Sequence, residues 1–174
     1  MKVVTPELES VAASDHDFSP EECVSRASEA AKLVDPAALA DESSRQRLFE
    51  LLWRNDHSEA WLVSWSEPRD TGYHDHDGSC GAVAILEGRI TEEPLVVGGP
   101  PQVNEYNAGD VLSFTGSHIH RMHHDPNAVT IHLYSPPINR IGSYDVGSDG
   151  VLRRTPGSPD EESPTSPGLD EQAG

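Results

Sequence analysis

The sequence predicts a mainly β protein, an antiparallel sandwich or barrel entered through a helical N-terminal segment. Three observations carry that expectation. Five short runs rich in branched and aromatic residues lie between Trp61 and Tyr134, each bounded by Gly, Pro, Asp or Asn. Well before them, Ser19-Pro20-Glu21-Glu22 spells a helix start. The histidines gather in patches within the β-rich part, on segments whose alternation would point them the same way.

Taken in order, residues 1–18 are polar, acidic and unpatterned, and read as a loose arm. Ser19 then caps a helix, Pro20 suits its first position, and Glu22 closes a capping box. That helix is expected to run to about Leu33, with Cys23, Ala27 and Ala31 on one stripe. Asp35-Pro36 repeats the signal, predicting a second helix toward Leu52 with Leu48, Leu51 and Leu52 on its apolar face. The helical segment therefore spans 19–53 and the barrel 54–154, together forming one domain. Its strands are expected at Trp61–Trp65, Gly81–Leu86, Leu95–Val97, Asp110–Phe114 and Ala128–Tyr134. A last hairpin joins Tyr144-Asp-Val to Val151-Leu-Arg through Ser148-Asp149-Gly150. From 155 to 174 the chain is Pro, Ser, Gly and acid, and is expected to be a disordered tail.

Composition narrows the partners. A formal charge of −18 over 174 residues argues against nucleic acid or an anionic membrane. Two cysteines are too few for a disulfide framework and suit a reducing compartment. The N-terminus carries no apolar run of signal-peptide type, and no stretch has transmembrane length. The expectation is a soluble, cytoplasmic protein, monomeric by default.

The chemistry lies in three patches. His74 and His76, two apart, leave the same face of an extended strand, and imidazole is the commonest ligand for first-row transition metals. His118-Ile-His120-Arg-Met-His123-His124 follows, offering either His118 or His120 as a third ligand. In the run 128–135, Val129, Ile131 and Leu133 alternate with Thr130, His132 and Tyr134. A histidine and a tyrosine on one strand face are costly to bury unpaired and useful beside a reaction centre.

These residues carry a resemblance. Gly72, His74, His76 and Gly88 follow the first motif of the cupin family. Gly109, Thr115, Ser117, His120 and His124 follow the spacing of its second, with Thr115, Ser117 and His124 in place of Pro, Gly and Asn. Metal-binding cupins usually place a glutamate ligand where this chain has Gly81, and its loss marks the thiol dioxygenase branch. With His74-Asp-His76, His120-Arg121 and His132-Leu-Tyr134-Ser-Pro-Pro137, the stretch from Trp53 to Asp145 resembles cysteine dioxygenase.

The resemblance implies a cupin-type jelly-roll barrel with Fe(II) held by His74, His76 and His120. It implies Tyr134 as the catalytic hydroxyl, oriented by His132 with Thr130 behind, and Arg54 as the group pairing with a substrate carboxylate. Arg140 and Arg121 are rivals for that pairing, whereas Arg69 reads as an exposed arginine without a role. His118, His123 and His124 read as wall or surface. The family's animal members join a cysteine, at the position of Gly81, to the active-site tyrosine. No such cross-link is expected here, since Cys80 points elsewhere on an alternating strand.

Three uncharged imidazoles leave Fe(II) its full double charge, which favours binding of a thiolate. The activity implied is the addition of both atoms of O2 to a small thiol, foremost L-cysteine, as in sulfur amino-acid metabolism. The alternatives are 3-mercaptopropionate or another small thiol, and a metal-binding cupin sensor that turns nothing over.

Overall fold

A computed structural model describes residues 5–36, 48–65, 67–96, 98–149 and 151–157. Every strand pairing in it is antiparallel. Two helices, α1 (Pro6–Ala12) and α2 (Pro20–Leu33), precede twelve strands among the described residues. The first sheet has the order β1-β2-β10-β5-β8, formed by Leu48–Arg54, Glu59–Trp65, Ala128–Ser135, Cys80–Glu87 and Val111–Phe114. The second has the order β12-β11-β4-β9-β6-β7, formed by Leu152–Gly157, Ile141–Val146, Tyr73–Asp75, His120–His124, Arg89–Pro94 and Asn104–Asn107. A short β3 (Arg69–Asp70) pairs with β9 beside it.

The first sheet is buried on both faces. Its outer face packs Leu62, Ala82, Ala84, Val129, Ile131 and Leu133 against Leu8, Val11, Phe18, Cys23, Ala27 and Ala30 of the helical segment. Its inner face packs Val63, Trp65, Val83 and Phe114 against Ile90, Met122 and Ile141 of the second sheet. The two faces of β10 follow from this. Its apolar row seals the helices, and its polar row, Thr130, His132 and Tyr134, turns into the space between the sheets.

Helix α2 starts as its sequence predicts. Ser19 accepts the Glu22 amide N–H, and the Glu22 carboxylate accepts the Ser19 amide N–H at 2.8 Å. The arm expected over 1–18 is a second, shorter helix from Pro6. Leu8, Val11 and Ala12 form a stripe at helical spacing that fills the core, and Thr5 caps it. The helix expected toward Leu52 does not extend there, because 48–54 is strand β1; residues 37–47 lie outside those described. Of the expected apolar face, Leu52 is buried and Leu51 is 39% exposed, and β1 is bulged between Leu51 and Trp53. The bulge sends both Leu52 and Trp53 to the helix-side core.

Among the described residues the strands run from β1, which begins at Leu48, to β12, which ends at Gly157. Residues 158–174 of the expected tail lie outside those described. Of the strand expected at Leu95–Val97, Leu95 and Val96 follow the end of β6 at Pro94 and are not strand, and Val97 lies outside the described residues. The predicted hairpin after Tyr144 is present as β11 and β12. No helix among the described residues is long and apolar enough to cross a membrane.

Candidate metal centre

His74 lies on β4, His76 just after it, and His120 opens β9 directly opposite His74 in register. The alternation expected for His-x-His and the pairing of two strands thus bring three imidazoles to one point. One nitrogen from each lies within 4.8 Å of the others, and the side chains are all buried. Ring centroids are 4.7 Å apart for His74 and His120, 5.0 Å for His74 and His76, and 5.3 Å for His76 and His120.

The hydrogen bonds behind the rings decide which nitrogen is left for a metal. His74 Nδ1–H donates to the Gly72 carbonyl at 3.0 Å. His120 Nδ1–H donates to Glu92 Oε1 at 2.9 Å. Both partners are acceptors, so both rings present an unprotonated Nε2. His120 Nε2 is buried and has no hydrogen-bond partner among the described residues. Burial, the chief cause, lowers the pKa of this imidazole and keeps it neutral, as a ligand must be. This donor set fits a first-row transition ion.

Among the described residues, no carboxylate joins these three imidazoles. Gly81 lies opposite both Tyr134 and Phe114, and a side chain there would meet the Leu133 carbonyl and come within 2.6 Å of Phe114 Cζ. Phe114 instead stacks on His76, with centroids 4.6 Å apart and planes at 22°. Glu92 stands behind His120 and also accepts His118 Nε2–H at 2.9 Å. Burial would raise its pKa, but the His118 and His120 bonds outweigh burial and hold it well below the usual carboxylate range. Of the two candidates left open in the His118-Ile-His120 pair, His120 joins His74 and His76, and His118 supports Glu92.

A cavity of about 220 Å³ opens from the three imidazoles. Tyr134 faces it beside His76, with ring centroids 5.1 Å apart. His132 lies between Tyr134 and Thr130, its Nδ1 3.1 Å from the phenol oxygen and its Nε2 3.0 Å from the Thr130 hydroxyl. Trp65 Nε1–H, a donor only, reaches Thr130 Oγ1 at 3.4 Å. An ordered row of polar groups thus runs from the indole to the phenol.

The arginines separate. Arg54 lines the cavity, with its Nη1 3.2 Å from Glu59 Oε2. Arg140 does not reach the cavity, because Asp77 Oδ2 accepts its Nε–H at 3.0 Å on the outer surface. Arg121 is likewise turned outward to Asp70. Arg69, expected to be surface, lines the cavity, because β3 lies across from His124 and shares its inward face. His124, expected to be wall or surface, is buried wall: it stacks on Trp65 with centroids 3.9 Å apart.

Two site residues were absent from the sequence reading, Glu92 and Glu59. Glu92 shares the buried face of Ile90 in Arg89–Pro94, a period-two signal in a segment too polar to stand out. Glu59 directly precedes a recognised strand, with nothing local to mark it as buried.

The pattern of the family described as cysteine dioxygenase type I matches residues 25–147. Among solved structures, KdgF from Halomonas sp. is similar at 16% identity and TM-score 0.45, over 51% of this chain and 76% of that one. A cupin superfamily protein from Desulfitobacterium hafniense is similar at 18% identity and TM-score 0.44, over 60% and 84%. A Klebsiella pneumoniae protein with a double-stranded β-helix domain is similar at 10% identity and TM-score 0.46, over 70% and 94%.

Proposed function

Because the chain belongs to the cysteine dioxygenase type I family, we propose that it is an Fe(II)-dependent thiol dioxygenase whose substrate is L-cysteine. One observation supports this best: three buried, uncharged imidazole donors share a cavity with a tyrosine hydroxyl and an arginine. In this reading His74, His76 and His120 hold the iron. When bound, the iron supplies a site where a thiolate and O2 meet. The thiol gains two oxygens and leaves as the sulfinate, so RSH and O2 balance RSO2H.

The protein's own groups bind and orient. The Arg54 guanidinium takes the substrate carboxylate in the fork geometry that suits it. The polar row sets the Tyr134 proton. The indole N–H satisfies one lone pair of Thr130, the threonine hydroxyl donates to His132 Nε2, and His132 Nδ1–H donates to the phenol oxygen. The phenol proton is then free to point into the cavity, toward the reacting sulfur. Val63, Val83, Phe114, Met122 and Ile138 line the cavity and exclude water from that proton. We place Tyr134 free of any thioether link, since Gly81 opposite it has no sulfur and Cys80 Sγ lies 3.9 Å from Cys23 Sγ, against α2. We place the protein in the cytoplasm as a monomer, acting on a small thiol and O2.

The test is anaerobic loading with Fe(II), then O2 and a panel of small thiols, with mass spectrometry for a gain of two oxygens on sulfur. Wild type oxidises at least one thiol, and Tyr134→Phe does so far more slowly with the same iron content. If no thiol is oxidised while His74→Ala holds as much iron as wild type, the reading fails.

A further inference from the structure

Cys23 and Cys80 are the two cysteines of the chain, and the fold brings them together from 57 residues apart. Their sulfurs are 3.9 Å apart, in contact as free thiols. Cys23 sits fully buried in the first turn of α2, where its N–H donates to the Ser19 carbonyl at 2.9 Å. Cys80 is half-buried and opens β5 opposite Ser135. Its Sγ lies 3.2 Å from the Phe18 carbonyl and 3.3 Å from that of Ser135. Both cysteines belong to the helix-side core, on the face of the first sheet turned away from the three imidazoles. Packing there asks only for small apolar side chains, and a hydrogen bond between thiols is weak. The two thiols are also unlike. The bond between them, and burial after it, push the Cys23 pKa up, and the same bond is the main cause that brings that of Cys80 down. The better nucleophile is therefore the more exposed sulfur, and the buried one stands in contact behind it.

We propose that Cys23 and Cys80 are a reversible redox pair, which a small disulfide oxidises to a bridge clamping α2 onto β5. The Cys80 thiolate attacks one sulfur of the small disulfide RSSR, whose S–S bond breaks to release RS⁻ and leave Cys80–S–SR. Cys23 then attacks the Cys80 sulfur and the second RS⁻ leaves, the two protein protons going to the two departing thiolates. The protein dithiol gives up two electrons, so that dithiol and RSSR balance bridge and two RSH. Closing the sulfurs from 3.9 Å to the length of a disulfide, about 2.05 Å, is an approach of roughly 1.9 Å, shared by two side chains turning about χ1. The carbonyls of Phe18 and Ser135 lose only a weak S–H donor. The stretch between the two cysteines contains His74 and His76, and joining its ends restricts the unfolded chain there. The pair thereby turns the ratio of disulfide to thiol around the protein into a difference in its stability. Neither sulfur lines the cavity, so the pair works whether or not the protein oxidises thiols.

The experiment holds full-length, Fe(II)-loaded protein without O2 in buffers of stepped oxidised-to-reduced glutathione ratio, so that no turnover occurs. Maleimide labelling counts free thiols, intact mass reports bridges and adducts, and thermal unfolding follows each step. In wild type both thiols disappear together, with a mass loss of two hydrogens, and excess reduced glutathione restores them. The oxidised form melts about 5–15 °C above the reduced one. Cys23→Ala stops as a mixed disulfide with one glutathione on Cys80, whereas Cys80→Ala keeps its buried thiol free. Neither single variant gains Tm on oxidation. Two thiols that still label in the most oxidised buffer, or that each take up a glutathione, overturn the proposal. So does a bridge that leaves Tm unchanged, because it would clamp nothing. An adduct on Cys23 in Cys80→Ala, with none on Cys80 in Cys23→Ala, overturns the order of attack. Should a variant not fold, the thiol count and Tm of wild type decide.

Discussion

Glu92 stands directly behind His120, its Oε1 accepting the imidazole Nδ1–H at 2.9 Å and, at the same distance, the N–H of His118. One carboxylate oxygen thereby fixes the tautomer of a buried ring and aims its other nitrogen at His74 and His76. Asn104 Nδ2–H and the Tyr106 hydroxyl donate to Oε2, both at 3.4 Å, so the carboxylate is held from both ends.

Replacing Glu92 by Gln removes the charge and offers an amide that must turn to serve two imidazole donors. Iron affinity is expected to fall roughly 10- to 100-fold, the usual cost of losing the partner behind a ligating histidine. Competition with a chromophoric chelator measures this. Equal affinity in Glu92→Gln and wild type would mean that packing alone orients His120.

Gly81 is expected to tolerate no side chain. The Cβ of alanine there would meet the backbone carbonyl of Leu133, on the strand to which Gly81 is paired, and the Phe114 ring. Neither gives way cheaply, because the first is a ladder partner and the second stacks on His76. Gly81→Ala should lose about 1–3 kcal/mol, read from the midpoint of urea unfolding. A variant as stable as wild type would show that Phe114 moves freely.

Much of this was legible in the sequence, and what was missed has a common cause. Strand β10 was readable residue by residue, because a clean period of two separates Val129, Ile131 and Leu133 from the row that meets the cavity. His74 and His76 were readable for the same reason. Arg69 was not, since its exposure depends on β3 pairing with β9, a contact 55 residues away in sequence at Arg69↔His124. Glu92 and Glu59 look like ordinary surface acids until the strands beside them are known. In β1 the local pattern actively misled, because Leu51 and Leu52 read as one apolar face although Leu52 is buried and Leu51 is exposed.

The Asp70–Arg121 pair ties β3 to β9 and titrates with a defined sign. Arg121 is the main cause of the lowered Asp70 carboxyl pKa, and the Gly72 amide N–H, donating at 2.9 Å, adds to it. A depressed folded-state pKa contributes stability above the unfolded value, about 3.9 for Asp, and that contribution is lost as pH falls through the folded value. With the Asp70 side chain 38% exposed, screening limits the effect to under about 1 kcal/mol. Asp70→Asn should therefore melt slightly below wild type at neutral pH and converge with it near pH 3 or lower. A gap that stays constant with pH would place the cost in the loop geometry instead of the charge.

Arg154 acts on the strand of His74 from two strands away. β12 pairs with β11 and β11 with β4, and the guanidinium lies across β11 to reach Asp75, between His74 and His76. Asp75 accepts Arg154 Nε–H at 2.7 Å and Nη2–H at 2.8 Å, and the Tyr144 hydroxyl donates to it at 2.5 Å. The crossing is possible because the residue beneath is Gly142, where a Cβ would lie 2.5 Å from Arg154 Cζ. Arg154→Met keeps the chain length and strips the fork from a buried carboxylate, which should cost roughly 1.5–3 kcal/mol and loosen iron binding. Gly142→Ala should do the same by pushing the guanidinium off Asp75. If both act through that one fork, the double variant should lose little more than either single one, whereas independent sites would add. Unfolding midpoints of the four proteins, taken with and without iron, read the coupling directly. Additive losses would show that Arg154 does not reach the His74–His76 strand through Gly142.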